Sequence, residues 1–142
     1  MLELMIGLAI LGVLAAIALP AYTDYRERLR VYQAVSEIGE LQTAIDRYID
    51  DNRAPPASLA QINRGGMLDP WGRPYQYLDL TTSPPGAARK NRNLVPINSS
   101  YDLYSVGKDG DSVGPLTAKA SRDDVVRAND GKFIGLAQDY EP

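Results

Sequence analysis

Acidic side chains gather in the last third of the sequence, among glycines and serines. Asp109 and Asp111 follow a short alternating stretch, and Asp123 and Asp124 are adjacent to each other further along, close to Ser121. Hard cations prefer oxygen ligands, and calcium tolerates irregular loops better than magnesium does. The cluster therefore has the chemistry of a calcium site. Aspartates that cap turns explain the pattern at least as well, because the glutamate that completes an EF-hand loop is not at the required spacing.

The residues that most often carry catalysis are missing from the composition. The 142 residues include no histidine and no cysteine, which removes the common general base near neutral pH, disulfides and thiolate metal sites. Carboxylate pairs can perform acid–base chemistry, but they need opposed environments in a cleft, and Asp123 and Asp124 are neighbours on one predicted loop. A membrane-tethered enzyme or binding module is therefore a weaker interpretation than a structural protein. The net charge of −3 also disfavours nucleic-acid binding by the whole surface.

These residues follow a long apolar segment. Residues 4–22 carry no charged side chain, and about 20 apolar residues are what a helix needs to cross a bilayer. Beyond this span, apolar residues recur at steps of three and four, which is the pattern of an amphipathic helix. They are Val31, Tyr32, Val35, Ile38, Leu41, Ile45, Tyr48 and Ile49. The sequence predicts one long helix that is apolar on every side at first and amphipathic later.

Three residues near or within the apolar span are unusual for such a helix. Glu3 places a carboxylate at its edge, where it must be paired or reach the interface. A cation from an adjacent copy, such as a terminal amine, satisfies this need, and so do lipid headgroups. Gly12 and Pro20 weaken helical hydrogen bonding, so we expect the helix to loosen between them in an assembled state. Close packing of small residues between membrane helices is the simpler explanation.

The rest of the chain predicts a small head with few regular elements. The prolines that follow Asn52 end the helix, and residues 58–62 predict one short helical turn. Alternation predicts strands over residues 75–80 and 101–106. A further short strand is weakly indicated within residues 132–140.

A long connection separates the two predicted strands. Residues 81–100 contain adjacent prolines and a basic run formed by Arg89, Lys90 and Arg92 among asparagines. This composition is typical of a loop. We interpret the arginines as solvated in preference to a dedicated site for an anion or a partner.

Two stretches of sequence resemble a known family. MLELMIGLAILGVLAAIALPAYTDY, residues 1–25, closely resembles the N-terminus of type IV pilins and type II secretion pseudopilins. DPWGRPYQY at residues 69–77 and YDLYSVGKDGD at residues 101–111 are more similar to the major pseudopilin of type II secretion than to a disulfide-looped pilin. Residues 81–100 and the tail after Val125 depart from the family pattern.

The resemblance implies an α+β fold, in which a long N-terminal helix packs on a small antiparallel β-sheet head with long loops. Residues 1–22 would be the transmembrane and filament-core helix. Residues 23–142 would be the head, with an amphipathic helix over residues 23–52 and loops and short strands over residues 53–142.

The resemblance also implies roles for particular residues. Glu3 would neutralise the terminal amine of a neighbouring subunit during assembly, and the helix between Gly12 and Pro20 would unwind in the filament. One calcium ion would bind the loop after the second strand. Its ligands would be the carbonyls of Val106 and Ser121, the carboxylate of Asp109, and a carboxylate of Asp123 or Asp124. The resemblance implies neither an organic cofactor nor catalytic residues.

The function that the resemblance implies is structural. The chain would be a non-enzymatic subunit of a helical filament that drives protein export; the alternative is a subunit of a surface pilus for adhesion, motility or uptake. It would sit in the inner membrane before assembly and then in a periplasmic or extracellular filament of a Gram-negative-type bacterium. Its partners would be its own copies, minor pseudopilins, a prepilin peptidase and an inner-membrane assembly platform, with no nucleic acid.

Overall fold

The computed structural model describes residues 1–84, 86–92 and 95–141. The chain divides into two compact units, Met1–Arg30 and Val31–Pro142, which we describe separately. A single long helix, α1, begins in the first unit and ends in the second, with bounds Leu2–Asn52.

The first unit is the N-terminal part of α1, which is apolar over residues 4–22. Its large side chains are exposed, including Leu4, Ile10 and Ile17 at 77%, 55% and 67% of their full accessibility. Among the described residues, α1 is the one helix long and apolar enough to cross a membrane by length and composition. The helix continues through Pro20, and the hydroxyl of Thr23 donates to the carbonyl of Pro20 at 2.8 Å.

In the second unit, α1 is amphipathic, as the periodicity predicted. Ala34, Ile38, Leu41 and Ile45 are completely buried, and their spacing of four, three and four residues places them on one face of the helix. They form a core with sheet residues that include Tyr101. The predicted helix end is confirmed at Asn52.

Four antiparallel strands form the sheet, in the order β1, β4, β5, β6. A second, two-stranded ladder joins β2 to β3. The strand bounds are Gln76–Asp79 (β1), Lys90–Asn91 (β2), Val95–Pro96 (β3), Tyr101–Ser105 (β4), Val125–Ala128 (β5) and Phe133–Leu136 (β6). The predicted α+β class, the short turn (Leu59–Ile62) and the strands β1, β4 and β6 are therefore confirmed.

Both faces of the sheet are covered. Tyr101 and Leu103 of β4 face the helix core, whereas Asp102 and Tyr104 alternate to the opposite face. On that second face, Asp102 is only 1% exposed. Its Oδ2 accepts a hydrogen bond from the backbone N–H of Arg89 at 2.6 Å. The segment between β1 and β4 is thus a layer over the sheet.

Two expectations were wrong. Residues 81–100 are not simply a solvated loop, because they contain the ladder of β2 and β3 and because Arg89 is 5% exposed. The strand β5 was not predicted. It is buried at every position, so its sequence lacks the alternation of a half-buried strand. In the structure, the Arg127 guanidinium lies 3.9 Å above the Tyr101 ring.

Candidate functional site

The apolar part of α1 is the first candidate site, because it offers a continuous surface for helices or lipid. Glu3 lies in the first turn of the helix, and its side chain is exposed. Apart from the nearby backbone of the helix itself, no group lies within 4 Å of the positions that a Cβ would occupy at Gly7 and Gly12, so a neighbouring helix could approach the backbone there. A surface of this size and apolarity is stable only when it is covered.

The predicted loosening of the helix between Gly12 and Pro20 concerns the assembled state. Within the single chain, α1 is assigned as helix through both residues. The loosening stays a prediction.

The acidic loop after β4, residues 106–124, is the second candidate site. Gly107 and Gly110 turn the chain with φ of 65° and 79°, which is a region that favours glycine. The turn brings Asp109 to Asp123: the backbone N–H of Asp109 donates to Oδ2 of Asp123 at 2.9 Å. Oδ1 of Asp109 accepts from the backbone N–H of Asp111 at 2.8 Å. Two of the predicted ligands therefore meet across the loop.

The predicted carbonyl ligand at Ser121 is also close to this loop. Ser121 is completely buried, and its carbonyl accepts the backbone N–H of Asp124 at 3.3 Å. Its hydroxyl donates to the Val113 carbonyl at 2.8 Å. Val106, the other predicted carbonyl ligand, lies just beyond β4 and is half-buried.

Asp124 differs from the other acidic residues because its carboxylate is completely buried and ion-paired. Nη2 of Arg89 lies 2.6 Å from its Oδ2, and the Ser112 hydroxyl donates to the same oxygen at 2.6 Å. Burial raises the pKa of Asp124 to about 6, against the opposing effect of the Ser112 and Arg89 contacts. Within the described part of the chain, Oδ1 of Asp124 and Nε of Arg89 are buried without a hydrogen-bond partner.

Sequence reasoning missed Arg89 and Arg73 as residues of this site. Arg89 reaches Asp124 from the layer over the sheet, and its guanidinium also stacks 4.1 Å from the Tyr104 ring centre. Arg73 donates from Nη1 to the carbonyl of Gly107 at 2.8 Å. The signal that could have found Arg89 is Asp124 itself, because a carboxylate beside a buried apolar strand requires a cation.

The acidic residues do not converge on one point. In residues 1–84, 86–92 and 95–141, no group of three or more aspartates or glutamates is arranged to hold a metal ion. Any ion on this loop would need backbone carbonyls as well as carboxylates, which calcium accepts.

A membrane-length apolar helix that leads into a small antiparallel α+β head is the architecture of pilin-like proteins. The chain is 30% identical to the type II secretion system core protein G of Pseudomonas aeruginosa, over 80% of this chain and 84% of that protein. It is 32% identical to the protein of the same name from Aeromonas hydrophila, over 79% of this chain and 82% of that protein.

A fimbrial relative matches over a shorter length. The type IV major fimbrial protein FimA of Dichelobacter nodosus is 36% identical over 61% of this chain and 54% of that protein. No family model matches the chain, and no solved structure matches it. The chain belongs to the family of the type II secretion system core protein G, the major pseudopilins.

Proposed function

We propose that this chain is a structural, non-enzymatic subunit that polymerises into a pilin-like filament of a type II secretion system and thereby drives protein export. The observation that carries the proposal is the exposed apolar surface of residues 4–22, a stretch of helix without a charged side chain. Lateral packing of many copies would bury this surface in a filament core. Lipid would cover it before assembly.

In a filament, the carboxylate of Glu3 requires a counter-charge. A carboxylate that moves from the membrane interface into a core of packed helices needs a cation there. We propose the terminal amine of an adjacent subunit as that cation. A helix N-terminus also stabilises negative charge, which favours this end of α1 for the pair.

The location and partners follow from this assembly. The subunit would lie in the inner membrane before assembly and in a periplasmic or extracellular filament afterwards. We propose its own copies as the principal partner, with minor pseudopilins, a prepilin peptidase and an inner-membrane assembly platform as the others, on the basis of the family.

The test is Glu3→Ala in a strain that lacks the wild-type chain. We expect filaments to be depleted while the amount of chain in the membrane fraction is unchanged, because insertion depends on apolar length and assembly on the charge. Glu40→Ala is the control, since Glu40 is an exposed carboxylate of the same helix. Electron microscopy of filaments and immunoblots of membranes provide the measurements. Wild-type filament yield from Glu3→Ala would refute the role of the pair.

A surface pilus is the second candidate function. The observation that favours it is the sequence identity to the fimbrial relative. That identity is 36%, against 30% for core protein G of Pseudomonas aeruginosa, although it extends over a shorter length. Deletion of the gene that encodes this chain distinguishes the two functions. Loss of protein export supports the secretion filament, and loss of filaments from sheared surface material with export intact supports the pilus.

We also propose that the acidic loop binds one calcium ion. Asp109 and Asp123, which meet across the loop, would supply carboxylates, and Val106 and Ser121 would supply carbonyls. The set fits in chemistry, because it contains only oxygen donors. Asp124 is excluded from it, because its carboxylate already has the Arg89 guanidinium at 2.6 Å. The ion would fasten the end of β4 to the segment before β5.

Calorimetric titration of the full chain in detergent with calcium tests this site. We expect wild-type binding, and binding weakened at least tenfold in Asp123→Asn, because the loss of one charged ligand lowers calcium affinity. Asp111→Asn is the control, since Asp111 is exposed on the same loop and lies outside the ligand set. The absence of a binding signal for the wild type, or equal affinity in both variants, would refute the proposal.

A further inference from the structure

Two arginines from outside the acidic loop hold it at its two ends. Arg73, from the turn before β1, donates to the Gly107 carbonyl at 2.8 Å. Arg89, from the residue before β2, contacts Oδ2 of Asp124 at 2.6 Å. Each arginine is far from the loop in sequence, so each contact ties the loop to another part of the head.

Arg89 is built into the protein interior. It is 5% exposed, its guanidinium lies 4.1 Å from the centre of the Tyr104 ring, and its backbone N–H is fixed by Asp102 at 2.6 Å. Its Nη1 also donates to the Ser112 hydroxyl. A cation held from several sides loses little conformational freedom when it pairs, which distinguishes it from an arginine at the surface.

Asp124 needs such a cation. Its carboxylate is completely buried, and an ionised carboxylate in the interior is tolerated only when it is paired and hydrogen-bonded. A divalent ion bound to the same carboxylate would lie close to the guanidinium of Arg89. Two cations at that separation in a poorly solvated site repel each other strongly, so the guanidinium and a metal ion compete for Asp124.

We infer that the Arg89 guanidinium, with Arg73 at the other end of the loop, is the resident counter-ion that closes the acidic loop. In this chain the guanidinium occupies the place that a metal ion would take at Asp124. The loop closes without calcium, and an ion bound by Asp109 and Asp123 adds stability to a loop that is already closed. The inference concerns folding of the head and does not depend on filament assembly.

Arg89→Met in the full chain in detergent tests the inference. Methionine keeps the apolar stem over Tyr104 and the backbone contact to Asp102, and it removes only the charge and the donors. Leaving Asp124 buried and unpaired should lower the melting temperature by roughly 10 °C. Arg92→Met is the matched control, since Arg92 is exposed in the same segment, and it should melt like the wild type. Arg89→Met/Asp124→Asn should recover part of the loss, because it removes the unpaired charge.

A chelator provides a measurement on the unmodified chain. Excess chelator should lower the melting temperature of the wild type by less than the Arg89→Met substitution does. Protease should cut within residues 110–120 no faster with chelator than with calcium. If chelation alone lowers the melting temperature as much as Arg89→Met, or opens the loop to protease, the ion is the counter-ion and the inference fails. It also fails if Arg89→Met melts like Arg92→Met, or if Asp124→Asn restores nothing to Arg89→Met.

Discussion

Three of the positive-φ glycines of the head differ in what surrounds them, and substitution by alanine should therefore have graded effects. Gly72, Gly110 and Gly107 have φ of 85°, 79° and 65°. A Cβ at Gly72 would meet no other group within 4 Å. A Cβ at Gly110 would lie 2.6 Å from the guanidinium of Arg73, and one at Gly107 would overlap the carbonyl group of Asp123.

The expected magnitudes follow from these surroundings. Alanine in the left-handed region costs about 1 to 2 kcal/mol, which is the whole effect at Gly72. At Gly110 the added methyl group meets a flexible side chain, so Gly110→Ala should cost about 2 kcal/mol, which includes weakened Arg73 contacts. At Gly107 the added methyl group meets the backbone of Asp123, which cannot move away as a side chain can. Overpacking then adds about 1 to 3 kcal/mol to the cost of the left-handed conformation, for a total of about 2 to 5 kcal/mol.

Denaturant unfolding of the full chain in detergent measures this series, with the single tryptophan, Trp71, as the fluorescent probe. Trp71 packs against the helix core of the head, so its emission reports unfolding of that core. The free energies of unfolding should fall in the order Gly72→Ala, Gly110→Ala, Gly107→Ala. If Gly107→Ala is no less stable than Gly72→Ala, the close approach of Gly107 to Asp123 is wrong, and with it the geometry of the acidic loop.

Two further predictions concern carboxylates of the sheet. Burial raises the pKa of Asp79, but hydrogen bonds from Thr81 and Thr82 outweigh it and leave the pKa lowered. Asp79 therefore contributes stability above its ordinary pKa of 3.8, which is lost as the pH falls through the lowered value. Asp79→Asn should be less stable at neutral pH by about 1 to 2 kcal/mol and show a shallower loss in acid, as measured by unfolding at several pH values. Asp102→Ala should raise the rate of amide hydrogen exchange in β2 and leave α1 protected, as measured by mass spectrometry. Exchange in β2 at the rate of the wild type would contradict this prediction.

The parts of the fold that were predicted correctly are those with a hydrophobic period. Ile38, Leu41 and Ile45 recur with the period of a helix and are buried together. The strands β1 and β4 alternate, and their register pairs Leu78 with Asp102. In each of these elements, the apolar face is buried against one neighbour, so the local pattern of apolar residues is sufficient to predict the element.

The parts that were missed depend on contacts between distant residues. Alternation in β4 predicts that Asp102 faces water, but the layer from residues 81–100 covers that face, so a polar residue there is buried and hydrogen-bonded. No local pattern indicates that this layer exists. The pairing of Arg89 with Asp124 joins residues 35 positions apart and leaves no periodic trace in the sequence.

The covered second face also explains why a buried arginine from outside the predicted metal loop reaches it. Tyr101 and Tyr104 point to opposite faces of β4, and each supports a buried arginine: Arg127 lies 3.9 Å from the first ring and Arg89 lies 4.1 Å from the second. A sheet with one face in water could leave its carboxylates solvated. Once both faces are covered, each buried carboxylate needs hydrogen bonds or a counter-charge within the protein. Arg89 supplies it for Asp124 from the covering layer itself, so the segment that buries the carboxylate also neutralises it.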